Sequence, residues 1–234
     1  MPLTHTVSLS SPFWCFEPRH DYQQCPKWGP GENRHVWPTR EMFHNQFFEN
    51  PFRCIVRKRQ MGDILWPETR PCLVSDRTLS LFRSARLTGF DVRPADVRLL
   101  FPHDPHEAKF WQLIVTGWGG MARAESGIRR IPDPAGTGRL CYTGCTSPRE
   151  IIDPDQWDRT DFFIVWPLPN YYWITDKVRE ILQSNELRHY RLLPPEEFKS
   201  EAIVGDEVVF GPGGLRYYFS DERARGIGEP LGIY

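Results

Sequence analysis

The sequence lacks any apolar run approaching the roughly 18 residues that a membrane-spanning helix needs. Its opening, MPLTHTVSLSSPFWC, carries neither a basic n-region nor an apolar h-region, so no secretory signal is visible. Both absences set the expectation of a cytoplasmic protein with no membrane partner. Six cysteines among 234 residues are few for a disulfide scaffold, and a cytoplasmic setting keeps thiols reduced. Neither sign of charge dominates: 29 Lys and Arg stand against 30 Asp and Glu, a formal net charge of -1. A nucleic-acid partner is therefore not expected, because neutralising phosphates calls for clustered cations. The one basic cluster, Arg57-Lys58-Arg59, reads as a solvated strand end.

Catalytic signatures are missing as well. There is no GxSxG elbow and no cysteine with a flanking nucleophile signature. In His103-Asp104-Pro105-His106-Glu107, a proline separates the histidines, so the helical i, i+4 geometry of an HExxH metal site is unavailable and a polar loop is expected. Thr116-Gly117-Trp118-Gly119-Gly120 has the glycines of a phosphate loop without its Lys and Ser or Thr, and reads as a turn.

The sequence is rich in aromatics and proline: 9 Trp, 15 Phe, 8 Tyr and 22 Pro. It also contains an internal echo. Residues 64–94 lie over residues 164–194 without a gap, with Ile64, Trp66, Pro67, Asp76, Ser84, Leu87 and Pro94 matched by identical residues 100 positions on. At usual frequencies of roughly 5–10% per residue type, chance gives about two identities over such a length. Each copy predicts the same order. A short strand ends at Trp66 or Trp166 ahead of a proline, and a second strand ends at Val74 or Ile174. Ser75 or Thr175 then stands at an N-cap, with Asp76 or Asp176 at the positive end of the helix dipole. Helical spacing follows through Thr78, Leu81, Phe82 and Ala85, or Val178, Ile181 and Leu182, with Gly89 or His189 at the C-cap. A last strand is closed by Pro94 or Pro194.

The expected fold class is α+β: two tandem β-β-α-β repeat units with additional antiparallel strands and an irregular N-terminal segment, within one globular domain. Residues 1–62 are expected as an irregular, aromatic- and proline-rich cover with a helix at 41–49, and residues 63–109 as the first unit. Residues 110–160 follow as a central hairpin, turned at Gly119-Gly120, and a cysteine knuckle. Residues 161–198 form the second unit, and residues 199–234 a hairpin about Gly211-Pro212-Gly213-Gly214 with an extended tail.

Cysteine spacing is the strongest chemical signal. Cys141-Tyr142-Thr143-Gly144-Cys145 is a CxxxC knuckle, and Cys25-Pro26-Lys27-Trp28-Gly29 reads as a CPxCG zinc knuckle whose second cysteine is tryptophan. A structural zinc takes four N or S ligands, often from two distant knuckles. Cys25, Cys141 and Cys145 offer three, and Cys15 or His20 a fourth; the competing reading is thiols left from a lost site.

From Cys141 onward, the knuckle is followed by Ile152-Asp153, Asp161-Phe162-Phe163, a strand, Ile174-Thr175-Asp176-Lys177, an apolar helix and a strand closed by Pro194. This order resembles the C-terminal half of the bacterial double-CXXCG motif proteins. Cys25-Pro26-Lys27-Trp28-Gly29, followed by Trp37-Pro38, resembles that family's first motif. Leu73-Val74-Ser75-Asp76-Arg77 with Leu87-Thr88-Gly89-Phe90 resembles the same group and the immunity-type proteins of polymorphic toxin systems. The similarity spans most of residues 14–198. Trp28 and the longer Cys141 to Cys145 spacing depart from the family pattern at its metal site. The resemblance implies no catalytic residues.

Three functions stay open at this stage. The favoured one is a non-enzymatic protein-binding module, an immunity protein neutralising a cognate toxin. It would use aromatic anchors such as Tyr171, Tyr172 and Trp173, because Trp and Tyr are preferred at interfaces. The others are a zinc-ribbon-like nucleic-acid-associated regulator and an enzyme with a site between the repeats.

Overall fold

The computed structural model describes residues 12–17, 52–56, 62–66, 72–99, 109–133, 136, 138, 140–198, 209–210 and 214–234. The helix expected at 41–49, the loop at 103–107, the basic cluster at 57–59, and His20 and Cys25 lie outside the described residues. The fold is α+β. Among the described residues no helix is long and apolar enough to cross a membrane.

Chain order runs through β1 (Phe13–Glu17), β2 (Phe52–Val56), β3 (Ile64–Leu65), β4 (Cys72–Ser75), α1 (Asp76–Ser84), β5 (Phe90–Leu99), β6 (Phe110–Val115) and β7 (Gly117–Met121). It continues with β8 (Arg130–Ile131), β9 (Cys141–Tyr142), β10 (Phe162–Trp166), β11 (Tyr172–Thr175), α2 (Asp176–Ser184), β12 (Arg191–Leu193), β13 (Val209–Phe210) and α3 (Asp221–Leu231). The strands form three sheets. Sheet 1 is ordered β2-β5-β6-β4-β3, sheet 2 is ordered β12-β1-β11-β10-β7, and a small third sheet is ordered β13-β9-β8. Pairing is antiparallel except at β2 with β5 and β10 with β7.

The segments at 64–94 and 164–194 carry the expected strand, strand, helix, strand order. Ser75 caps α1 by accepting the Thr78 amide at 3.2 Å. Both helices end alike. The Leu87 amide reaches the Phe82 carbonyl and the Leu187 amide the Leu182 carbonyl, each at 3.0 Å, while the Arg86 and Glu186 amides reach Arg83 and Gln183. These are the 6→1 and 5→2 bonds of a Schellman motif, sealed by buried Leu87 on Phe82 and Leu187 on Leu182. The left-handed residues of these caps are Arg86 (φ 52) and Glu186 (φ 51), three positions earlier than the sequence suggested. Gly89 (φ 82) and His189 (φ 76) hold a second positive-φ position, in the turn into β5 or β12.

The gapless alignment fails at one place. Ile64 lies opposite Val74, whereas Phe162, not Ile164, lies opposite Ile174. The second hairpin is two residues longer, a shift that keeps every side chain on its face because strands alternate with period two. Trp66 and Trp166 are therefore not structural counterparts: Trp166 is fully buried, its indole donating to the Tyr142 hydroxyl at 2.7 Å, while Trp66 is half-buried.

Other expectations are corrected too. β5 runs on through Pro94 to Leu99, and Pro94 is tolerated because its pairing with parallel β2 begins only at Ala95. No hairpin turns at Gly119-Gly120. β6 passes through Thr116 straight into β7, which leaves sheet 1 and pairs with β10. A side chain at Gly119 would collide with the Phe163 ring, so glycine here lets two strands pack instead of turning the chain. β7 ends its sheet behind a cover: its Trp118 and Met121 amides donate to the Asp158 carboxylate (2.8 Å) and the Gln156 amide oxygen (3.0 Å). Such a cover blocks further strand pairing. In the N-terminal segment, β1 is not an irregular wrapping but a middle strand of sheet 2. Of the expected C-terminal hairpin, residues 207–208 and 211–213 lie outside the described residues; among the described ones β13 pairs with β9, Leu215–Tyr217 is a short 3-10 turn, and the expected extended tail is α3.

Gly89 concentrates two demands, a φ of 82° and a Cβ direction aimed into the Phe162 carbonyl and Thr160. Gly136 shares the positive φ but has open space around it. Gly89→Ala is expected to destabilise the protein by about 3 kcal/mol and Gly136→Ala by about 1 kcal/mol. Denaturant unfolding of the two variants measures the difference, and equal losses would contradict the crowding argument.

Candidate functional site

The structure places the sequence-derived candidates largely inside the protein. Cys15 is fully buried in β1 between β11 and β12, and burial pushes its thiol well above the ordinary range, which favours the protonated form over a metal-binding thiolate. Cys141 is buried in the middle strand of the third sheet, opposite Ile131 and Phe210. Cys145 is half-buried, and its thiol donates to the Ser126 carbonyl at 3.3 Å. Among the described residues no three His, Cys, Asp or Glu side chains gather into a metal-holding group.

Tyr172 and Trp173 are corrected as partner anchors. Adjacent strand residues face opposite sides, yet both are buried, because sheet 2 is covered on both faces at β11. Tyr172 packs on Trp66, with ring centroids 6.1 Å apart, and Trp173 on Phe198 at 5.2 Å. Tyr171 is half-buried, edge-on to Phe198 at 4.8 Å.

Where the two helical segments meet, carboxylates do structural work. Asp161 is buried and accepts the Thr88 amide (2.9 Å), the Thr88 hydroxyl (3.1 Å) and the Thr175 hydroxyl (3.1 Å), with Lys177 Nζ at 3.5 Å. Its oxygens are thereby committed as acceptors, so the group holds the two segments together. Thr175, spent on Asp161, makes no side-chain cap. Asp76 and Asp176, at the starts of the two helices, accept the Trp111 and Trp14 indoles at 2.9 and 2.8 Å.

An exposed constellation that the sequence reading missed lies at the C-terminal end. Arg225 forms i, i+4 ion pairs with Asp221 (2.9 Å) and Glu229 (3.2 Å) along α3, and its guanidinium lies 4.7 Å from the Tyr234 ring centroid. Arg216 stands 4.8 Å from the Tyr217 ring centroid and 5.9 Å from that of Tyr234. The Tyr234 hydroxyl donates to Asp221 at 2.6 Å. Arg225 and this hydroxyl hold the Asp221 carboxyl below its usual range, and the hydrogen bond to Asp221 raises the Tyr234 phenol in turn. Leu231, the last residue of α3, is the large hydrophobic residue left exposed among the described residues. The available signals were Ser220-Asp221-Glu222 as a helix start, the Asp221, Arg225, Glu229 spacing, and Ala224, Ile227, Gly228 and Leu231 at helical intervals.

The platform beneath is anchored in the core. Phe219 packs edge-on to Trp118 at 6.1 Å, Tyr218 edge-on to Trp166 at 6.2 Å, and the Leu215 amide donates to the Ile233 carbonyl at 2.7 Å. Arg223 reaches Asp158 at 2.7 Å, tying α3 to the loop that covers β7. No protein-family model matches the chain, and no curated protein matches it in sequence.

Burial pushes the phenols of Tyr142 and Tyr218 above their ordinary ionisation range, against the Trp166 indole that donates to Tyr142. Below about pH 10 both folded and unfolded chains keep these protons, and no stability is lost. Above it the unfolded chain releases protons that the folded chain retains, so stability falls as pH rises, by up to about 1.4 kcal/mol per pH unit for each tyrosine, until the folded phenols ionise. Tyr218→Phe is expected to flatten that alkaline slope. Urea unfolding between pH 9 and pH 11.5, read beside tyrosinate absorbance, tests this; an unchanged slope contradicts it.

Proposed function

We propose that this chain is a non-enzymatic protein-binding module, an immunity-type protein that neutralises a cognate bacterial toxin. The observation that carries the reading is the C-terminal surface on which exposed Arg216, Arg225 and Leu231 stand with half-buried Tyr217 and Tyr234. Arg and Tyr are the residue types that dominate binding hot spots. Here their rings and guanidinia are already stacked and hydrogen-bonded, so little side-chain freedom is lost on binding. Arg216 has no carboxylate partner among the described residues, and it suits an acidic group on the partner.

Support also comes from the carboxylates at the helix starts and at Asp161, which brace a scaffold, and from the resemblance to the double-CXXCG and immunity-type proteins. On this reading the partner would meet the C-terminal face, since Tyr172 and Trp173 are buried.

The test is co-expression with the product of the adjacent gene. Protection from its toxicity and co-purification of a complex are expected. Arg216→Glu and Tyr234→Ala should each weaken binding by about 30-fold or more, with little change in the thermal midpoint. A toxic neighbour against which the chain neither protects nor forms a complex overturns the reading; binding unaffected by both variants overturns the assigned surface.

A further inference from the structure

β1 and β6 occupy the same slot in two different sheets. β6 lies between β4 and β5, and β1 lies between β11 and β12. On one side, Val74 is opposite Trp111 and Ile174 is opposite Trp14. On the other, Arg93 is opposite Gln112 and Leu193 opposite Cys15, then Val92 opposite Leu113 and Leu192 opposite Phe16. Both neighbouring strands, taken at their 100-residue spacing, independently superimpose Trp14 on Trp111 and Cys15 on Gln112. Phe13-Trp14 thus matches Phe110-Trp111 in identity and in place.

The surrounding bonds repeat as well. Trp111 donates to Asp76 and Trp14 to Asp176. The Asp76 amide donates to the Lys109 carbonyl at 2.9 Å, and the Asp176 amide to the Pro12 carbonyl at 3.0 Å. The Ser75 amide reaches the Asp63 carbonyl, and the Thr175 amide the Asp161 carbonyl. Arg77 pairs with Asp63 at 3.0 Å, as Lys177 does with Asp161 at 3.5 Å.

Contacts between the halves are reciprocal. Arg77 donates to the Asn185 carbonyl at the end of α2 (2.9 Å), and Lys177 to the Arg86 carbonyl at the end of α1 (3.4 Å). Gly62 leaves room for the His189 ring, and Gly89 leaves room for Thr160, so at counterpart positions the small and large partners are reversed. Each half gives the other what it receives, the pattern of an isologous interface.

Chain order reveals a trade. Phe13 stands 51 residues before Ile64, and Phe110 stands 52 residues before Phe162, the counterpart of Ile64 by register. A spacing kept to one residue pairs each Phe-Trp strand with the β-β-α-β segment that follows it. Yet β1 enters the sheet of the later segment, and β6 that of the earlier one. We infer that the chain is a fused pair of units, each a leading strand (β1 or β6) with the β-β-α-β segment that follows it (residues 64–94 or 162–194), and that the two have exchanged their leading strands. Each sheet is completed by the other unit, as in a strand-swapped homodimer whose chains have been joined. This inference does not depend on the proposed function.

Double-mutant cycles in the full chain separate the exchanged arrangement from an unexchanged one. Trp14→Phe with Asp176→Asn, and Trp111→Phe with Asp76→Asn, are expected to couple by about three- to tenfold in the unfolding equilibrium constant, while the crossed pairs add independently. Indole N–H resonances supply a second readout that needs no stability measurement. The Trp14 signal should shift with Asp176→Asn and stay put with Asp76→Asn. Coupling between Trp14 and Asp76, or a Trp14 signal indifferent to Asp176→Asn, overturns the inference.

Discussion

β11 and β12 do not pair with each other; β1 lies between them and supplies the ladder for both. Removing those five residues would leave unpaired backbone groups on two strands and take Phe13, Cys15 and Phe16 out of the core. The same holds for β6 in sheet 1, where β4 and β5 meet only through it. Strand insertion is a demanding constraint, because the chain must bring together segments roughly 160 residues apart before sheet 2 gains its stability. Much else follows from it: the two indole bonds at the helix starts, the cross-braced helices, and a shared hydrophobic core that runs from Phe13 and Phe16 through Phe82 and Leu113 to Trp166 and Phe219.

The sequence made the helical segments legible because their signals are local. Ser75-Asp76 and Thr175-Asp176 announce helix starts, and Phe82, Leu87, Leu182 and Leu187 recur at intervals set by the helix itself. Sheet membership was not legible, since strand partners are chosen by long-range packing. Gly119 and Gly120 look like a turn in isolation, yet both lie in β7, where a side chain at Gly119 would meet the Phe163 ring and one at Gly120 would meet Gln156. Pro94 looks like a terminator and is accommodated because parallel pairing begins one residue later. At the C-terminus, glycines and a proline outweighed the Asp221, Arg225, Glu229 spacing in a reading by composition, although those ion pairs and the buried Ala224 and Gly228 hold α3.

The site was legible only in kind. Aromatic richness pointed to interfaces, but Tyr172 and Trp173 serve the interior, because a strand in the middle of a doubly covered sheet buries both of its faces. Exposure cannot be read from residue type alone; it depends on which surface another element covers. Arg216 and Tyr234 stay accessible because the 3-10 turn and α3 form the outer layer over Trp118 and Trp166. Cysteine spacing was similarly ambiguous, since a CxxxC pattern also arises when one cysteine fills a small sheet and the other donates to a carbonyl, as Cys141 and Cys145 do.

The two carboxylate braces show how one arrangement tolerates different chemistry. Asp161 is the more enclosed of the pair, and it is served by an amide and two hydroxyls, so Lys177 completes the shell from a longer distance. Asp63 is more open and meets Arg77 at 3.0 Å, whose fork also reaches the Asn185 carbonyl. A guanidinium can serve two acceptors in a fixed plane, whereas an ammonium acts as a compact point charge. The exposed brace therefore depends on the geometry of one side chain, and the buried brace on the number of its donors. Weakening Arg77 should loosen the contact between the helices more than weakening Lys177, since the Asp161 shell keeps three of its four donors when the lysine is lost.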